Sequence, residues 1–327
     1  MTPTRERIAL VGAGRMGRGM AIAFAYGGHK VTLIDAKIRK SGAFTDLKTQ
    51  IQDELQATFT MLAGFAMLDP DEVDSVLARV SVAPLDKAAE PLARADVIFE
   101  GVPEVIDIKR SAFALISAHA RDDAIVASTT STILADELQG FVGHPARFLN
   151  AHWLNPAFLM PLVELSPGKQ TDPAVTTRLK SLLERMGKVP VVCAASPGYI
   201  VPRIQALAMN EAARIVEEGV ASAEDVDKAT KYGFGFRFAV LGLPEFIDWG
   251  GGDILFHASQ YLSQATGQDR YKAPQIIRDN MLAGRNGLRD GQGFLDYSKL
   301  DIPAYQRDRL GAFVAMLRHL DKVPPKG

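Results

Sequence analysis

The apolar and polar positions divide the chain into two parts of different character. From residue 8 to residue 193, short apolar and β-branched runs alternate with longer segments of helical periodicity. This alternation is typical of a parallel sheet with crossover helices. Most runs are apolar throughout, as expected for strands buried on both faces. We predict strands at residues 8–11, 30–34, 80–82, 96–99, 124–127, 148–152, 162–165 and 189–192.

The pattern changes at the tripeptide Ser196-Pro197-Gly198, because the rest of the chain has helical periodicity and few β-branched runs. We therefore predict an α/β domain over residues 1–196 and an all-helical domain over residues 197–327. In the first domain, residues 41–65 carry Leu and Phe at three- and four-residue steps without Pro. This spacing predicts one or two long helices there.

Local signals predict where helices of the second domain begin and end. Pro202 is expected in the first turn of a helix, and Ser222, three residues before Asp225, is expected to cap another. Two glycine-rich stretches, 250–252 and 284–293, are interpreted as helix terminators and turns. A phosphate loop is the alternative, but neither stretch follows a strand and opens a helix as such a loop requires.

Composition limits the functions that the chain can have. A length of 327 residues fits two domains, because single cores stop growing near about 250–300 residues. The 37 Lys and Arg nearly balance the 38 Asp and Glu, so no strong field attracts nucleic acid or a membrane. Cys193 is the only cysteine, which fits a reducing cytoplasm. Residues 1–7 are polar and the following apolar run is short, so we expect neither signal peptide nor membrane span.

The segment IALVGAGRMGRG predicts a dinucleotide site. Gly12, Gly14 and Gly17 have the G-x-G-x-x-G spacing directly after an apolar run and at the start of a helical pattern. The first glycine allows a tight turn, the second lets the backbone approach a pyrophosphate, and the third lets the helix pack on the strand. An ordinary strand-to-helix turn is the alternative, but the acid Asp35 at the end of the next predicted strand argues against it.

Asp35 ends the second predicted strand, KVTLID, about twenty residues beyond the glycines, where a ribose-binding acid is expected. A carboxylate there accepts hydrogen bonds from ribose hydroxyls and repels a 2′-phosphate, so we expect the cofactor to be NAD rather than NADP. We expect no metal ion in the site. Lys37, Arg39 and Lys40 follow Asp35 and could partly offset that repulsion.

His152 is the histidine best placed to act as a base. It closes the predicted strand FLNAH at the carboxyl edge of the sheet, where ligands of such folds bind. Histidine suits removal of an alcohol proton near neutral pH. Glu164 lies on the next apolar run, LVELS, so it can face His152 and orient the imidazole. Asn155 and the hydroxyl cluster 128–132 add polar groups near the same edge.

Five segments together resemble the L-3-hydroxyacyl-CoA dehydrogenase family: GAGRMGRG, STTST, AHWLNPAFLMPLVEL, SPGYIVPR and GQGFLDY, in the family's order from residue 8 to about residue 297. The resemblance implies a Rossmann-type NAD-binding domain and a helical domain that forms the contact of a homodimer. It implies His152 as general base with Glu164 as its partner, and Asn155 and Ser131 at the substrate oxygen and the nicotinamide.

Through the segment GVPEVIDIK, the resemblance also places Glu104 and Lys109 near the cofactor. Without it, these two residues would be interpreted as the solvated start of a helix.

The sequence departs from the members of the family that use CoA at three places. YIVPR has Pro202 where those members carry an Asn, and nothing basic occurs between Lys48 and Arg79 to hold CoA phosphates. The stretch GFGFRFAVLG is more similar to relatives that oxidise free hydroxy acids, such as L-gulonate and carnitine dehydrogenases. Arg237 in that stretch could hold a substrate carboxylate, or it could pair with Glu245 or Asp248 for structural reasons.

Three functions stay open from the sequence. The first is an oxidoreductase that acts on a short free 3-hydroxy acid, and the second is a short-chain 3-hydroxyacyl-CoA dehydrogenase of the 3-hydroxybutyryl-CoA type. The third is a non-catalytic NAD-binding or crystallin-like structural protein, which would give no reason for the set His152, Glu164, Asn155 and Ser131. Trp153, beside the base, could narrow the pocket or fill space.

Overall fold

A computed structural model describes residues 5–325 of the chain. Residues 1–4, on which part of the expectation about a signal peptide rests, lie outside that range. The chain forms two compact units, Met1–Ala208 and Met209–Gly327. The division between them falls inside a helix, Val201–Glu217, that begins just after the tripeptide proposed as the domain boundary.

The first unit contains an eight-stranded sheet with the strand order β3-β2-β1-β4-β5-β6-β7-β8. The first six strands in this order have the doubly wound arrangement of a Rossmann fold. The strands are β1 (Arg7–Val11), β2 (Lys30–Ile34), β3 (Val80–Ala83), β4 (Val97–Glu100), β5 (Ile125–Ser128), β6 (Phe148–Trp153), β7 (Leu162–Pro167) and β8 (Val189–Val192). All eight predicted strands are present, and their ends differ from the predicted ones by at most two residues.

The expected parallel sheet is observed except at one edge, where one pair of strands is antiparallel. β1 to β6 run parallel, but β7 is antiparallel to β6, and β8 is parallel to β7. The physical reason is the connection between β6 and β7, which is only the loop 154–161. A parallel neighbour needs a crossover of about a dozen residues or more, so this loop returns the chain in the opposite direction.

Helices cover both faces of the sheet. They are α1 (Arg15–Tyr26), α2 (Ser41–Gly64), α3 (Val73–Leu77), α4 (Ala89–Arg94), α5 (Ile106–His119), α6 (Ala135–Leu138) and α7 (Pro173–Arg185). The segment 41–65 thus forms one long helix. Alternate residues of β1 lie in different hydrophobic cores on the two faces of the sheet. Ile8 and Leu10 belong to the core that contains Phe24 and Phe99. Ala9 and Val11 belong to the core on the other face. Burial on both faces explains the unbroken apolar strands.

Helices make up the regular structure described in the second unit. After α8 (Val201–Glu217) follow α9 (Ala223–Ala229), α10 (Phe236–Phe238), α11 (Leu243–Gly250), α12 (Gly252–Thr266), α13 (Gln275–Leu282) and α14 (Ile302–His319). A π-helical turn, Thr230–Gly235, joins α9 to α10. The predicted starts are confirmed, since Pro202 lies in the first turn of α8 and Ser222 accepts a hydrogen bond from the Asp225 amide at the start of α9.

The glycine-rich stretches of the second unit form a helix break and turns, as predicted. Gly251, with φ +106°, separates α11 from α12. The stretch 284–293 turns around the buried carboxylate of Asp248, which accepts hydrogen bonds from the amides of Phe294 and Leu295 at 2.9 and 2.8 Å. A protein carboxylate, and not a ligand, is therefore the acceptor for these two amides. Within residues 5–325, no helix combines the length and apolar character needed to cross a bilayer.

Candidate active site

The turn between β1 and α1 has the geometry of a dinucleotide-binding loop. Gly12 has φ +123°, and a Cβ there would lie 2.5 Å from the carbonyl oxygen of Gly101. A Cβ on Gly17 would lie 2.0 Å from the carbonyl oxygen of Gly12, so helix and strand approach closely only because both residues are glycine. A Cβ on Gly14 would meet nothing within 4 Å. The backbone at Gly14 is therefore open to a ligand.

A cavity of about 640 Å³ lies beside this turn and is lined by Gly12, Gly14 and Asp35. Four cationic residues line it as well: Arg15, Arg18, Lys37 and Arg39. Cationic groups next to backbone amides at a helix start suit the pyrophosphate of a dinucleotide. The residues present thus fit the phosphates and the ribose of NAD.

Asp35 follows β2 directly and is 3% exposed. Its carboxylate accepts a hydrogen bond from the Lys37 amide at 3.3 Å and forms an ion pair with Arg39. Of the basic residues that follow Asp35, Arg39 thus binds the carboxylate of Asp35. Arg39 reduces the net negative charge that a 2′-phosphate would meet.

His152 on β6 and Glu164 on β7 are direct register partners in the antiparallel pair. The imidazole Nδ1 and the carboxylate Oε2 are 2.8 Å apart, and both side chains are buried. The other carboxylate oxygen, Oε1, accepts hydrogen bonds from the amides of Ile200 and Val201 at 2.9 and 2.8 Å. The start of α8 thus holds Glu164 in place, and Glu164 orients the imidazole.

These contacts fix the tautomer of His152. A carboxylate that already binds two amides is an acceptor, so Nδ1 of the imidazole must carry the hydrogen. In the neutral ring, Nε2 then carries the lone pair. Among residues 5–325, no group forms a hydrogen bond to Nε2. Nε2 of His152 is therefore a hydrogen-bond acceptor without a partner in the described part of the chain.

Tyr199 stacks on the imidazole of His152, with ring centroids 5.0 Å apart and an angle of 11° between the planes. Its hydroxyl donates to the carbonyl of Thr130 at 2.8 Å and accepts from Nδ2 of Asn150 at 3.0 Å. Burial raises the pKa of Tyr199, so the phenol keeps its proton and stays a donor. The sequence gives Tyr199 no role, although it lies in the SPGYIVPR segment.

Lys109 lies at the centre of a buried ion cluster. It is 1% exposed, and its Nζ lies 3.0 Å from both carboxylate oxygens of Glu100 and 3.1 Å from Oε2 of Glu104. Glu100 also accepts from the hydroxyl of Ser128 at 2.6 Å and the amide of Val102 at 2.8 Å. For Lys109, the interpretation as a solvated helix residue is wrong, because β4 supplies a buried partner that local sequence does not show.

Glu104 holds the loop that follows β5. Its Oε1 accepts hydrogen bonds from the amides of Ser131 and Thr132 at 3.1 Å each, and from the hydroxyls of Thr130 and Thr132. Burial acts to raise the pKa of Glu104, but the Thr130 hydrogen bond and the charge of Lys109 outweigh it and hold the pKa below its ordinary value near 4.5. The ionised carboxylate therefore organises the hydroxyl cluster 128–132.

Asn155 and Ser131 are exposed at the same edge. Asn155 lies in the loop after β6, three residues beyond His152, and Ser131 lies in the loop held by Glu104. Neither the Asn155 amide nor the Ser131 hydroxyl has a hydrogen-bond partner among residues 5–325. Both groups are free to bind a ligand.

Trp153 points away from this edge and belongs to the core. It is 1% exposed and packs against Phe24, Phe99 and the Lys188 ammonium group, at 5.6, 6.0 and 5.5 Å. Of the two roles that the sequence leaves open for Trp153, filling space is the one observed.

Arg237 lies in the second unit, on α10, and is exposed. Its guanidinium lies 5.1 Å from the centre of the Phe246 ring and forms no ion pair with any carboxylate of residues 5–325. Glu245 pairs with Arg309, and Asp248 binds the turn described above. The structural alternative for Arg237, an ion pair with one of these acids, is therefore wrong.

Both units match known families. Residues 7–196 match the family described as 3-hydroxyacyl-CoA dehydrogenase, NAD binding domain, and residues 198–297 match its C-terminal domain. The chain belongs to the 3-hydroxyacyl-CoA dehydrogenase family. The expected fold class, the NAD cofactor and the assignment as an enzyme are thereby confirmed. The protein is an NAD-dependent oxidoreductase of the 3-hydroxyacyl-CoA dehydrogenase type.

Individual relatives span nearly the whole chain. A 5-formyl-3-hydroxy-2-methylpyridine 4-carboxylate 5-dehydrogenase of Mesorhizobium japonicum is 30% identical over 320 residues, which is 97% of this chain and 98% of the relative. A probable 3-hydroxybutyryl-CoA dehydrogenase of Deinococcus radiodurans is 30% identical over 89% of this chain and 100% of its own length. The crystal structure of the 3-hydroxyacyl-CoA dehydrogenase of Archaeoglobus fulgidus has a TM-score of 0.76 at 28% identity, covering 98% of this chain and 100% of that one.

Two residues of the candidate site were missed by the sequence interpretation. Glu100 ends the apolar strand VIFE at the carboxyl edge, and a lone acid in that position was a usable signal. Tyr199 gave no signal of its own, because its contact with His152 depends on how the segment before α8 crosses β6 and β7.

Within residues 5–325, no group of three or more His, Cys, Asp or Glu side chains could hold a metal.

Proposed function

We propose that the protein transfers a hydride between NAD and the hydroxyl-bearing carbon of a short, free 3-hydroxy acid, with His152 as the general base. The observation that carries this proposal is the imidazole of His152, which binds Glu164 through Nδ1 and has no partner at Nε2 among residues 5–325. An alcohol cannot lose a hydride without losing its hydroxyl proton, and a neutral imidazole is the side chain that suits this proton near pH 7.

In the oxidation direction, Nε2 of His152 takes the hydroxyl proton while the C–H electron pair leaves as hydride and the carbonyl forms. The acceptor for that hydride would be supplied by NAD when it is bound. The imidazolium formed faces the carboxylate of Glu164 at 2.8 Å, which stabilises the positive charge without taking the proton. Asn155 and the Ser131 hydroxyl, which have no hydrogen-bond partners among the described residues, would hold the reacting oxygen and the nicotinamide side of the site.

We assign the cofactor to the cavity beside Gly12, Gly14 and Gly17, with Asp35 at the ribose. We also propose that Glu104 and Lys109 lie at the nicotinamide end of the cofactor site. Because Lys109 is 1% exposed and bound to Glu100 and Glu104, its contribution is to hold Glu104. The contact with the cofactor then falls to the loop that Glu104 organises.

Two observations favour a free acid over a CoA thioester. Arg237 is exposed and free of carboxylate partners within residues 5–325, and a guanidinium can bind a carboxylate in a bidentate fork. The helix α2 has no basic residue after Lys48 to meet the phosphates of CoA. The Mesorhizobium relative is named for a pyridine carboxylate, which is itself a free acid.

The second candidate is a 3-hydroxybutyryl-CoA dehydrogenase, the activity named for the Deinococcus relative. The two are separated by incubating the enzyme and NAD with 3-hydroxybutyryl-CoA and, separately, with a panel of free hydroxy acids. We expect turnover of at least one free acid, and Arg237→Ala should raise its KM at least tenfold. Efficient turnover of the thioester alone would disprove the carboxylate role of Arg237.

The base is tested with His152→Asn and with His119→Asn as the matched control, since His119 is exposed at the end of α5. We expect His152→Asn to abolish turnover while NAD binding and the melting temperature stay near those of the wild type. His119→Asn should change none of the three. Full turnover by His152→Asn would show that another group removes the proton.

A homodimer and a cytoplasmic location complete the proposal. Large apolar side chains on the second unit are exposed, including Met209 at 69%, Tyr261 at 71% and Leu282 at 71%, and apolar surface of this kind is typical of an interface. Sedimentation equilibrium should give twice the mass of the 35.4 kDa chain. The single free cysteine, Cys193, fits a reducing compartment.

A further inference from the structure

The segment before α8 contacts both members of the His152–Glu164 pair. Tyr199 covers one face of the imidazole, with centroids 5.0 Å apart, while the next two amides bind Oε1 of Glu164. Tyr199 itself is 6% exposed. One short stretch of chain therefore sets the positions of the base and of its carboxylate together.

The backbone of Tyr199 is in an unfavourable conformation at this point. Its φ is +44°, in the left-handed region that residues with a Cβ rarely adopt. Such strain persists only where surrounding contacts fix it, and it is concentrated at functional sites. Here the fixing contacts are the ring stack on His152 and the two hydrogen bonds of the phenol hydroxyl, to Thr130 and from Asn150.

We propose that Tyr199 is a positioning residue for the base: its ring holds the imidazole of His152 in plane and stabilises the imidazolium, and its hydroxyl ties the base to the 128–132 loop. This inference rests on the proposed function, in which His152 receives the proton. An aromatic face within about 6 Å of a cation stabilises that cation electrostatically. The stack therefore favours the proton-bearing state that the oxidation step produces.

Three other titratable groups surround the ring pair. Glu164 binds Nδ1 of His152, and Glu164, Glu104 and the thiol of Cys193, just after β8, each interact electrostatically with Tyr199. Replacing Tyr199 by Phe or Leu changes the charge of none of them. Tyr199→Leu removes the aromatic stack and keeps an apolar side chain, whereas Tyr199→Phe keeps the stack and removes the hydroxyl.

The experiment follows the imidazole directly, by NMR titration of the full-length enzyme labelled with ¹³C at histidine Cε1. The His152 signal is assigned by its loss in His152→Asn, and the exposed His119 is the internal control. We expect Tyr199→Leu to lower the titration midpoint of His152 by about half a pH unit and to move the acidic limb of the kcat/KM profile by the same amount. His119 should titrate as in the wild type.

Tyr199→Phe should leave the His152 midpoint at its wild-type value while it lowers the melting temperature, because Thr130 and Asn150 lose a partner. An unchanged midpoint in Tyr199→Leu, or an equal shift in Tyr199→Phe, would overturn the inference. If His152→Asn is inactive and the midpoint in Tyr199→Leu is unchanged, the inference alone fails. If His152→Asn keeps full turnover while Tyr199→Leu still shifts the midpoint, the proposed function fails and the coupling of the two rings remains.

Discussion

His152 and Glu164 lie opposite each other on antiparallel strands, with Nδ1 and Oε2 2.8 Å apart. The antiparallel pairing of β7 with β6 places the carboxylate of Glu164 beside His152, the next-to-last residue of β6, and the start of α8 reaches the same carboxylate. Because that start donates two amides to the same carboxylate, the orientation of the imidazole depends on three separate segments of chain.

Glu164→Gln should therefore reduce kcat/KM by about 10²–10⁴-fold. The amide of Gln can donate to Nδ1, which would place the hydrogen on Nε2 and remove the base. NAD affinity, measured by fluorescence titration, should change little. Glu184→Gln, at an exposed position on α7, is the control and should retain activity. An active Glu164→Gln enzyme would contradict the role of the carboxylate in setting the tautomer.

The ion pair between Arg39 and Asp35 gives a prediction about the choice of cofactor. Asp35→Ser removes the carboxylate that repels a 2′-phosphate and frees Arg39, whose guanidinium can bind that phosphate. The ratio of kcat/KM for NAD to that for NADP should fall at least tenfold. In the double variant Asp35→Ser with Arg39→Ala, the gain with NADP should disappear. Unchanged preference in Asp35→Ser would show that the ribose is bound elsewhere.

Much of this site was predictable because its residues mark strand ends. Asp35 and His152 each follow or close an apolar run, and the carboxyl ends of strands meet at one edge. The direction of β7 was also readable in principle, since the loop 154–161 is too short for a crossover. The ion pair between Glu100 and Lys109 was not predictable from the sequence. A lysine near a helix start has the same local pattern whether it is solvated or buried against a distant strand.

The low pKa of Glu104 predicts a pH-dependent contribution to stability. Because the pKa in the folded protein lies below the ordinary value near 4.5, the contribution is fully present above that pH and is lost as the pH falls through the folded pKa. Glu104→Gln should therefore melt below the wild type at pH 7, and the difference should shrink below pH 4.5. Glu137→Gln, exposed on α6, should show no such pattern. A constant difference across the range would rule out this assignment.

The position of Trp153 in the core predicts an effect on stability without an effect on the substrate. Trp153→Phe loses ring surface against Phe24 and Phe99, but it also removes an indole N–H that has no partner in the described part of the chain. We expect a loss of about 1–2 kcal/mol of unfolding free energy and an unchanged KM. A KM that changed severalfold would indicate that Trp153 does shape the substrate pocket.

The close approach of Gly293 to Asp248 predicts that this glycine of the second unit cannot be replaced without a loss of stability. A Cβ on Gly293 would lie 2.1 Å from Oδ1 of Asp248, the oxygen that accepts the Phe294 amide. Gly293→Ala must displace that buried carboxylate and should cost about 1–3 kcal/mol in stability. Gly311→Ala is the control, because a Cβ there meets nothing within 4 Å and lies inside α14, where alanine should stabilise by about 0.5–1 kcal/mol. Thermal unfolding of both variants measures the difference, and equal melting temperatures would show that the turn around Asp248 yields without cost.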